Sequence, residues 1–280
     1  MNKIINKSKA ETLIILNKKI KKFNIPKTFY FNVDNYHKKE KKILNNIKKN
    51  FKNPIAIRSS NKFEDSKRSS NAGKFKSYLN VNPQNLPGVK NSINNVIKSY
   101  KKFQSKENQV LIQEMVKNVK FSGVCTSCDL ETYFPAYQIN YFKGNDTQAV
   151  TSGKANTKKI IFVDNNKYKL KNKSFNSLIK IIKKIKQFYN SHIDVEFAIS
   201  KNGKIFILQS RSIVIKSKNI LDTNTANFAF KSLGRKIINL QKRHHTLLGN
   251  TAFYSVMSDW NPAEMIGLKP KPLALSLYKE

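Results

Sequence analysis

The sequence predicts an α/β (α+β) fold of two lobes with mixed and antiparallel sheets, followed by a mainly helical C-terminal extension. Three observations carry that expectation. The chain, at 280 residues, is long enough to bury a substantial core. Short strand-like apolar runs alternate along it with amphipathic helical stretches. The clearest local signal is a hairpin, residues 193–199 with 204–214, around Asn202-Gly203. An apolar fraction of 39% with 11% aromatic residues belongs to a folded chain and excludes a disordered one.

The elements follow in order. Residues 8–23 read as a helix: Leu13, Leu16, Ile20 and Phe23 recur at helical spacing, with Ser8 as N-cap and Glu11 as its capping-box partner. Asn24-Ile25-Pro26 ends it, and 28–33 reads as a short strand. Residues 38–51 form a lysine-rich helix whose buried stripe is Ile43, Leu44, Ile47 and Phe51. Residues 54–58 are a strand leading into a polar loop, 59–73, of the length that is usually functional or mobile. Strands are expected at 78–81, 110–116, 122–128, 134–142 and 159–163, with a helix at 89–105 and a polar loop at 144–153. The helix at 174–189 is amphipathic through Leu178, Ile181, Ile182, Ile185 and Phe188. After the hairpin come a polar connection, 216–226, a helix at 227–247 and a mixed tail, in which Asn261-Pro262-Ala263-Glu264 has the form of a helix start. The expected organisation is a first lobe of residues 1–105, a second of 106–215 and an extension of 216–280.

A formal net charge of +36 points towards polyanions, but the charge is lysine, spread along the chain among asparagines and isoleucines. That combination is what an AT-rich coding sequence produces, so compositional drift and a selected polyanion surface both stand as explanations. Either predicts non-specific attraction to RNA and anionic lipid at low salt. Arginine is sparse: Arg58, Arg68, Arg211, Arg235 and Arg243. Cys125 and Cys128 form a C-x-x-C within a strand-like run, with neither a second pair for zinc nor a helix start for redox chemistry. They read as two small, semi-buried residues. No apolar run approaches the ~20 residues that span a bilayer, and the first seven residues lack a signal-peptide core. The expected location is the cytoplasm.

In the hairpin, a two-residue Asn202-Gly203 loop pairs Lys201 with Lys204, and counting outward sets Ile199 opposite Phe206, Glu196 opposite Gln209 and Asp194 opposite Arg211. With a side-chain period of two, Asp194, Glu196, Gln209 and Arg211 share one face. Val195, Phe197, Leu208 and Ser210 take the other. Two carboxylates at this spacing suit Mg2+, which takes oxygen ligands and shares them with phosphate. The arginine can hold a phosphoryl oxygen. A polar sheet face with an Asp–Arg cross-strand pair is the alternative, and spacing alone does not choose between them.

The order of motifs does choose. Asp194-Val195-Glu196-Phe197, then Leu208-Gln209-Ser210-Arg211, resembles the D-x-E-W and L-Q-x-R-P blocks that end the ATP-binding domain of phosphoenolpyruvate synthases and pyruvate phosphate dikinases. Ala56-Ile57-Arg58-Ser59-Ser60 with Glu64-Asp65 and Ala72-Gly73, and then Tyr78-Leu79-Asn80-Val81, resembles R-S-S-x-x-x-E-D…A-G and F-L-N-V. Val110-Leu111-Ile112-Gln113-Glu114-Met115-Val116 with Ser122-Gly123-Val124 resembles V-L-V-Q-x-M-V…S-G-V, and Lys9-Ala10-Glu11-Thr12-Leu13 resembles the G-K-A-x-N-L opening. The resemblance covers residues 8–215 and implies an ATP-grasp-like nucleotide domain that holds ATP and Mg2+ between two lobes. Carried over residue by residue, it sets Lys9 and Arg58 on ATP phosphates and Gln113, Glu114, Met115 and Val116 on the adenine side. Glu196 and Gln209 hold metal and nucleotide with Asp194 nearby, and Arg211, with Arg58, stabilises the transferring charge.

The chain departs from the family pattern at Lys7-Ser8, where glycines are usual, and at Ser212, where proline is usual. It departs again at Cys125-Thr126-Ser127-Cys128-Asp129-Leu130, where an arginine is missing. The family's T-S-H-A phosphohistidine segment has no counterpart among His37, His192, His244 and His245; His37 and His192 read as exposed. The resemblance therefore implies a Mg-ATP-binding phosphotransferase component whose acceptor lies on a phosphohistidine-domain or pyruvate/phosphoenolpyruvate-domain partner. A catalytically inactive ATP-binding or regulatory module and a non-specific polyanion binder are the alternatives.

Overall fold

A computed structural model describes residues 7–20, 23–61, 76–100, 105, 108–130, 133–144, 157–163, 169–213 and 223–241. The expected loop 59–73 beyond Asn61, the loop 145–153, and the tail containing His244, His245 and Trp260 lie outside these residues. Residues 1–226 form one compact unit and 227–280 a second.

The first unit opens with α1 (Lys9–Lys19), whose start is the expected capping box: Ser8 Oγ accepts from the Glu11 amide while the Glu11 carboxylate accepts from the Ser8 amide. β1 (Thr28–Asn32) runs directly into α2 (Val33–Asn50). This helix starts five residues earlier than the lysine periodicity implies, because a first segment precedes a kink at Lys39 (φ −134°). β2 (Ile55–Ser60), β3 (Ser77–Val81) and α3 (Leu86–Ser99) follow. α3 also begins ahead of expectation: Asn85 caps it by accepting from the Gly88 amide, and Pro87 occupies the first turn, where its missing N–H costs nothing.

β4 (Gln109–Glu114), β5 (Val119–Thr126), β6 (Tyr137–Lys143), β7 (Lys158–Phe162), α4 (Lys173–Tyr189), β8 (Ile193–Ser200) and β9 (Ile205–Ser212) complete the unit. The strands make two sheets, in the orders β1-β4-β2-β3 and β7-β6-β5-β8-β9. All of their named pairs are antiparallel. β4 follows the expected lobe boundary at 105/106, yet it hydrogen-bonds between β1 and β2 in the first sheet. Sheet membership changes within residues 115–118.

Alternation sorts each sheet into two faces. In the first, Ile55, Ile57, Val110 and Ile112 join Tyr36, Ile47, Phe51 and Ile93 in a core under α2 and α3. The opposite face carries Arg58, Ser60, Gln109, Leu111 and Gln113. In the second, Val195, Phe197, Ile199, Ile205 and Ile207 pack with α4 and with Ala10, Leu13 and Leu16 of α1. Leu111 belongs to this second core, so α1 lies against both sheets.

α5 (Thr223–Leu240) leads into the second unit. Its described side chains include exposed Phe228, Phe230, Leu233, Ile238 and Leu240. Among the described residues, no helix is long and apolar enough to cross a membrane.

Candidate functional site

The hairpin reaches the expected pairs by a different route. The loop has three residues, 201–203: the Ser200 amide donates to the Lys204 carbonyl (3.0 Å), the Gly203 amide donates to Ser200 O (2.9 Å), and Gly203 sits at φ +81°. Lys201 cannot pair with Lys204 because its amide donates to Asn118 O (2.7 Å), which pins the turn to the β4–β5 connection. Ile199 therefore faces Ile205 rather than Phe206. A bulge at Leu208 then restores the register, so that Glu196 does face Gln209 and Asp194 does face Arg211. The bulge also corrects the side of one residue. Leu208 lies with Val119 and Ala198 on the face of Glu196, not with Val195 and Phe197 in the α4 core.

On that face the polar groups are engaged. Arg211 Nε and Nη2 both donate to Asp194 Oδ2, at 2.8 and 2.7 Å. Gln209 is buried opposite Glu196. Arg58, from β2 of the other sheet, donates through Nη1 to Glu196 Oε2 at 3.0 Å. Their side chains are 12% and 24% exposed, so this ion pair is largely screened from solvent. Arg58 Nε is buried without a hydrogen-bond partner. A second tie joins the sheets: Gln113 Nε2 donates to the carbonyl of Leu208, the bulged residue, at 3.4 Å.

Lys9 is the first residue of α1. A buried network holds this helix start to the first sheet: the Ala10 amide donates to Ser60 Oγ (3.1 Å), two residues along β2 from Arg58. Ser8 Oγ donates to Gln109 Oε1 (2.7 Å), and Gln109 Nε2 donates to Glu11 (3.3 Å). Ser8, which replaces a glycine of the family pattern, is thus both cap and tether.

Glu114, Met115 and Val116 leave β4 with their chain held on both sides. The Glu114 amide donates to Lys27 O and the Met115 amide to Pro54 O, each at 2.8 Å, and the Asn53 side chain bonds the Glu114 carboxylate. These three residues line a cavity of about 540 Å3 with Pro26, Lys201 and Phe206. Phe206 and Val116 also pack on the Ala198–Leu208 cluster, so the cavity opens on the same sheet face as Glu196. Strands rise ~3.3 Å per residue, which separates Ser200 at the cavity from Glu196 by about 13 Å along β8. The lining does not include Arg58, Glu196 or Arg211. The arrangement is a recess at one end of the face, walled by Pro26, Met115, Val116 and Phe206 and rimmed by Lys27, Lys117, Lys201 and Lys204, with the charged pairs further along it. Phe206 was not singled out by sequence, because its face depends on the turn length.

The donor set fits a hard cation. Carboxylates of Glu196 and Asp194 with the Gln209 amide oxygen offer the few oxygen ligands that Mg2+ takes when it shares its shell with phosphate and water. Among the described residues no group of three or more His, Cys, Asp or Glu side chains converges into a self-sufficient metal cage. Cys125 and Cys128 are buried free thiols; burial pushes the Cys128 thiol up to about 11 and the Cys125 thiol higher still. Such thiols are unreactive; Cys125 lies within β5, whereas Cys128, expected in the same strand, falls two residues past its end. His192, contrary to the sequence reading, is half-buried. Its Nδ1 lies 3.0 Å from Ser127 O, and desolvation, aided by Lys186, holds its pKa below the usual imidazole value.

The family described as "Pyruvate phosphate dikinase, AMP/ATP-binding domain" matches the chain over residues 5–166 and 139–230. No curated protein matches it in sequence. Among solved structures it is similar to D-alanine-D-alanine ligase from Helicobacter pylori (15% identity, TM-score 0.41, covering 87% of this chain and 60% of that one). It is also similar to D-alanyl-alanine synthetase A from Vibrio cholerae (10%, TM-score 0.45, 84% and 66%). A third is PH1788 from Pyrococcus horikoshii (12%, TM-score 0.45, 75% and 93%). The chain spans less than two thirds of the length of either of the first two.

Proposed function

This chain belongs to the pyruvate phosphate dikinase AMP/ATP-binding domain family, and from that premise we propose that it binds Mg-ATP between its two sheets and donates a phosphoryl group to an acceptor on a partner. The observation that carries the reading is the meeting of Arg58 and Glu196, brought from separate sheets and 138 positions apart, on the face that also holds Gln209, Asp194 and Arg211.

In this reading the adenine occupies the recess formed by Glu114, Met115, Val116 and Phe206, and the phosphates extend along β8 and β9 towards Arg58 and Lys9. Glu196 and Gln209, with Asp194 beside them, hold the cation. Mg2+ supplies charge neutralisation across the phosphates when bound. Arg211 is oriented by Asp194 through two donors, which fixes its fork where negative charge spreads during transfer. Phosphoryl transfer depends mainly on such positioning and electrostatics, so this set is chemically sufficient for the donor half. The acceptor is a phosphohistidine domain or a pyruvate or phosphoenolpyruvate domain, as the family resemblance implies.

Calorimetry with ATP, with and without Mg2+, tests the binding half on wild type, Glu196→Ala and Arg211→Ala. Binding that requires Mg2+ in the wild type, and a Mg2+ requirement that Glu196→Ala abolishes, are the expected outcomes; absence of nucleotide binding in the wild type overturns the reading. Phe206→Ala is expected to weaken ATP about tenfold, by loss of one half-buried aromatic wall, and to leave inorganic tripolyphosphate unchanged. The missing arginine in the Cys125–Leu130 run favours a second reading, in which ATP is held but not turned over. Release of ADP, or labelled phosphate moving to an added histidine domain, excludes it.

A further inference from the structure

The Arg58–Glu196 contact joins the residue assigned to phosphate with the residue assigned to the cation. We infer that the two form a reciprocal lock that makes the site specific for the cation–nucleotide complex and refuses nucleotide or cation alone. The inference rests on the ATP reading above.

The charge arrangement explains the lock. Glu196 satisfies part of the Arg58 guanidinium, and Arg58 neutralises the Glu196 carboxylate. Both are mostly withdrawn from water, so losing one partner leaves a poorly solvated charge behind. A free ATP anion arriving at Arg58 displaces Glu196 and leaves that carboxylate facing phosphate oxygens. A divalent cation arriving alone displaces Arg58 and sets two positive groups side by side. Only the two together replace one ion pair by two, arginine with phosphate and carboxylate with cation. Arg58 Nε, buried and without a partner, is a donor that the single contact to Glu196 leaves over for a phosphoryl oxygen. The neighbouring Asp194–Arg211 pair differs, since both of its members come from the same hairpin.

Two variants test the lock with opposite gains. Glu196→Gln removes the competing charge and keeps the shape. Its affinity for ATP in EDTA is expected to rise about tenfold over wild type, the scale of one charge-assisted hydrogen bond, and Mg2+ is expected to add nothing further. Arg58→Gln frees the carboxylate. It is expected to take up Mn2+ without nucleotide, seen as loss of the free-ion electron paramagnetic resonance signal, where wild type takes up none. Thermal melts establish that each variant is folded, and either variant alone decides. If wild type binds Mg-ATP but the folded variant shows no gain, the lock is wrong and the ATP reading stands. If wild type already binds Mn2+ alone, the lock is likewise overturned. If wild type binds ATP in neither condition, the ATP reading fails and the lock with it.

Discussion

Gly123 offers a sharp test of how closely the second sheet is packed. It lies in β5 between Tyr141 of β6 and Phe197 of β8. A methyl group there would stand 2.1 Å from the Asn140 carbonyl oxygen and 2.9 Å from Tyr141 Cα. Those are backbone atoms, which no rotamer change moves aside, so β5 and β6 must part by roughly 1 Å to reach ordinary contact. Overpacking of this kind costs about 1–3 kcal/mol, and stretching a ladder hydrogen bond adds about 1. Taking about 3 kcal/mol, and about 2–4 °C per kcal/mol for a unit of this size, Gly123→Ala is expected to melt roughly 6–12 °C below wild type. Val124, the next residue, faces Glu196, so Mg-ATP affinity should fall in parallel. Circular dichroism melts and a urea titration measure the first effect, and calorimetry the second. A midpoint within 2 °C of wild type would show that β6 yields freely, and the close-approach reasoning would be wrong.

Other outcomes follow from buried titratable groups. With the Cys128 thiol raised to about 11 by burial, roughly one in a thousand molecules carries its thiolate at pH 8, and Cys125 carries less. A disulfide-exchange reagent should therefore find no thiol in the native protein and two after denaturation; rapid native labelling would refute the burial. His192 has a depressed pKa, so the folded state resists protonation and its contribution to stability, present above about 6.5, is lost as pH falls through the folded value. His192→Gln should consequently lose less stability than wild type between pH 7.5 and 4.5 in urea titrations, and superimposable pH profiles would count against the assignment.

Local chemistry makes much of this fold legible in the sequence. The Ser8–Glu11 box, the amphipathic stripe of α4 and the pairs Glu196–Gln209 and Asp194–Arg211 depend on neighbours within a few residues or on a single hairpin. The hairpin also shows how a correct pairing can come from a wrong turn: a loop one residue longer and a bulge at Leu208 cancel beyond that point, though not for Ile199 or Leu208 itself. The turn differs from the two-residue expectation because Asn118, 83 positions before Lys201, takes the amide that a two-residue loop would need. The contacts that define the site are of the same long-range kind. Arg58 meets Glu196, and Gln113 meets Leu208, only after β4 and β5, adjacent in sequence, have entered different sheets. No periodicity encodes that division.

The bulge has a meaning for chain length. Without Leu208 the β8–β9 ladder could run in one unbroken register from the turn to Arg211, with every charged pair where it is now. The hairpin nevertheless keeps the surplus residue, and its carbonyl is where Gln113 from the other sheet takes hold. A one-residue deletion at this position is therefore a different perturbation from a substitution: it leaves Glu196 opposite Gln209 and Asp194 opposite Arg211 while releasing the Gln113 tie between the two sheets. The two qualities that a nucleotide site needs, local order and fixed span, are in this molecule separable by a single codon.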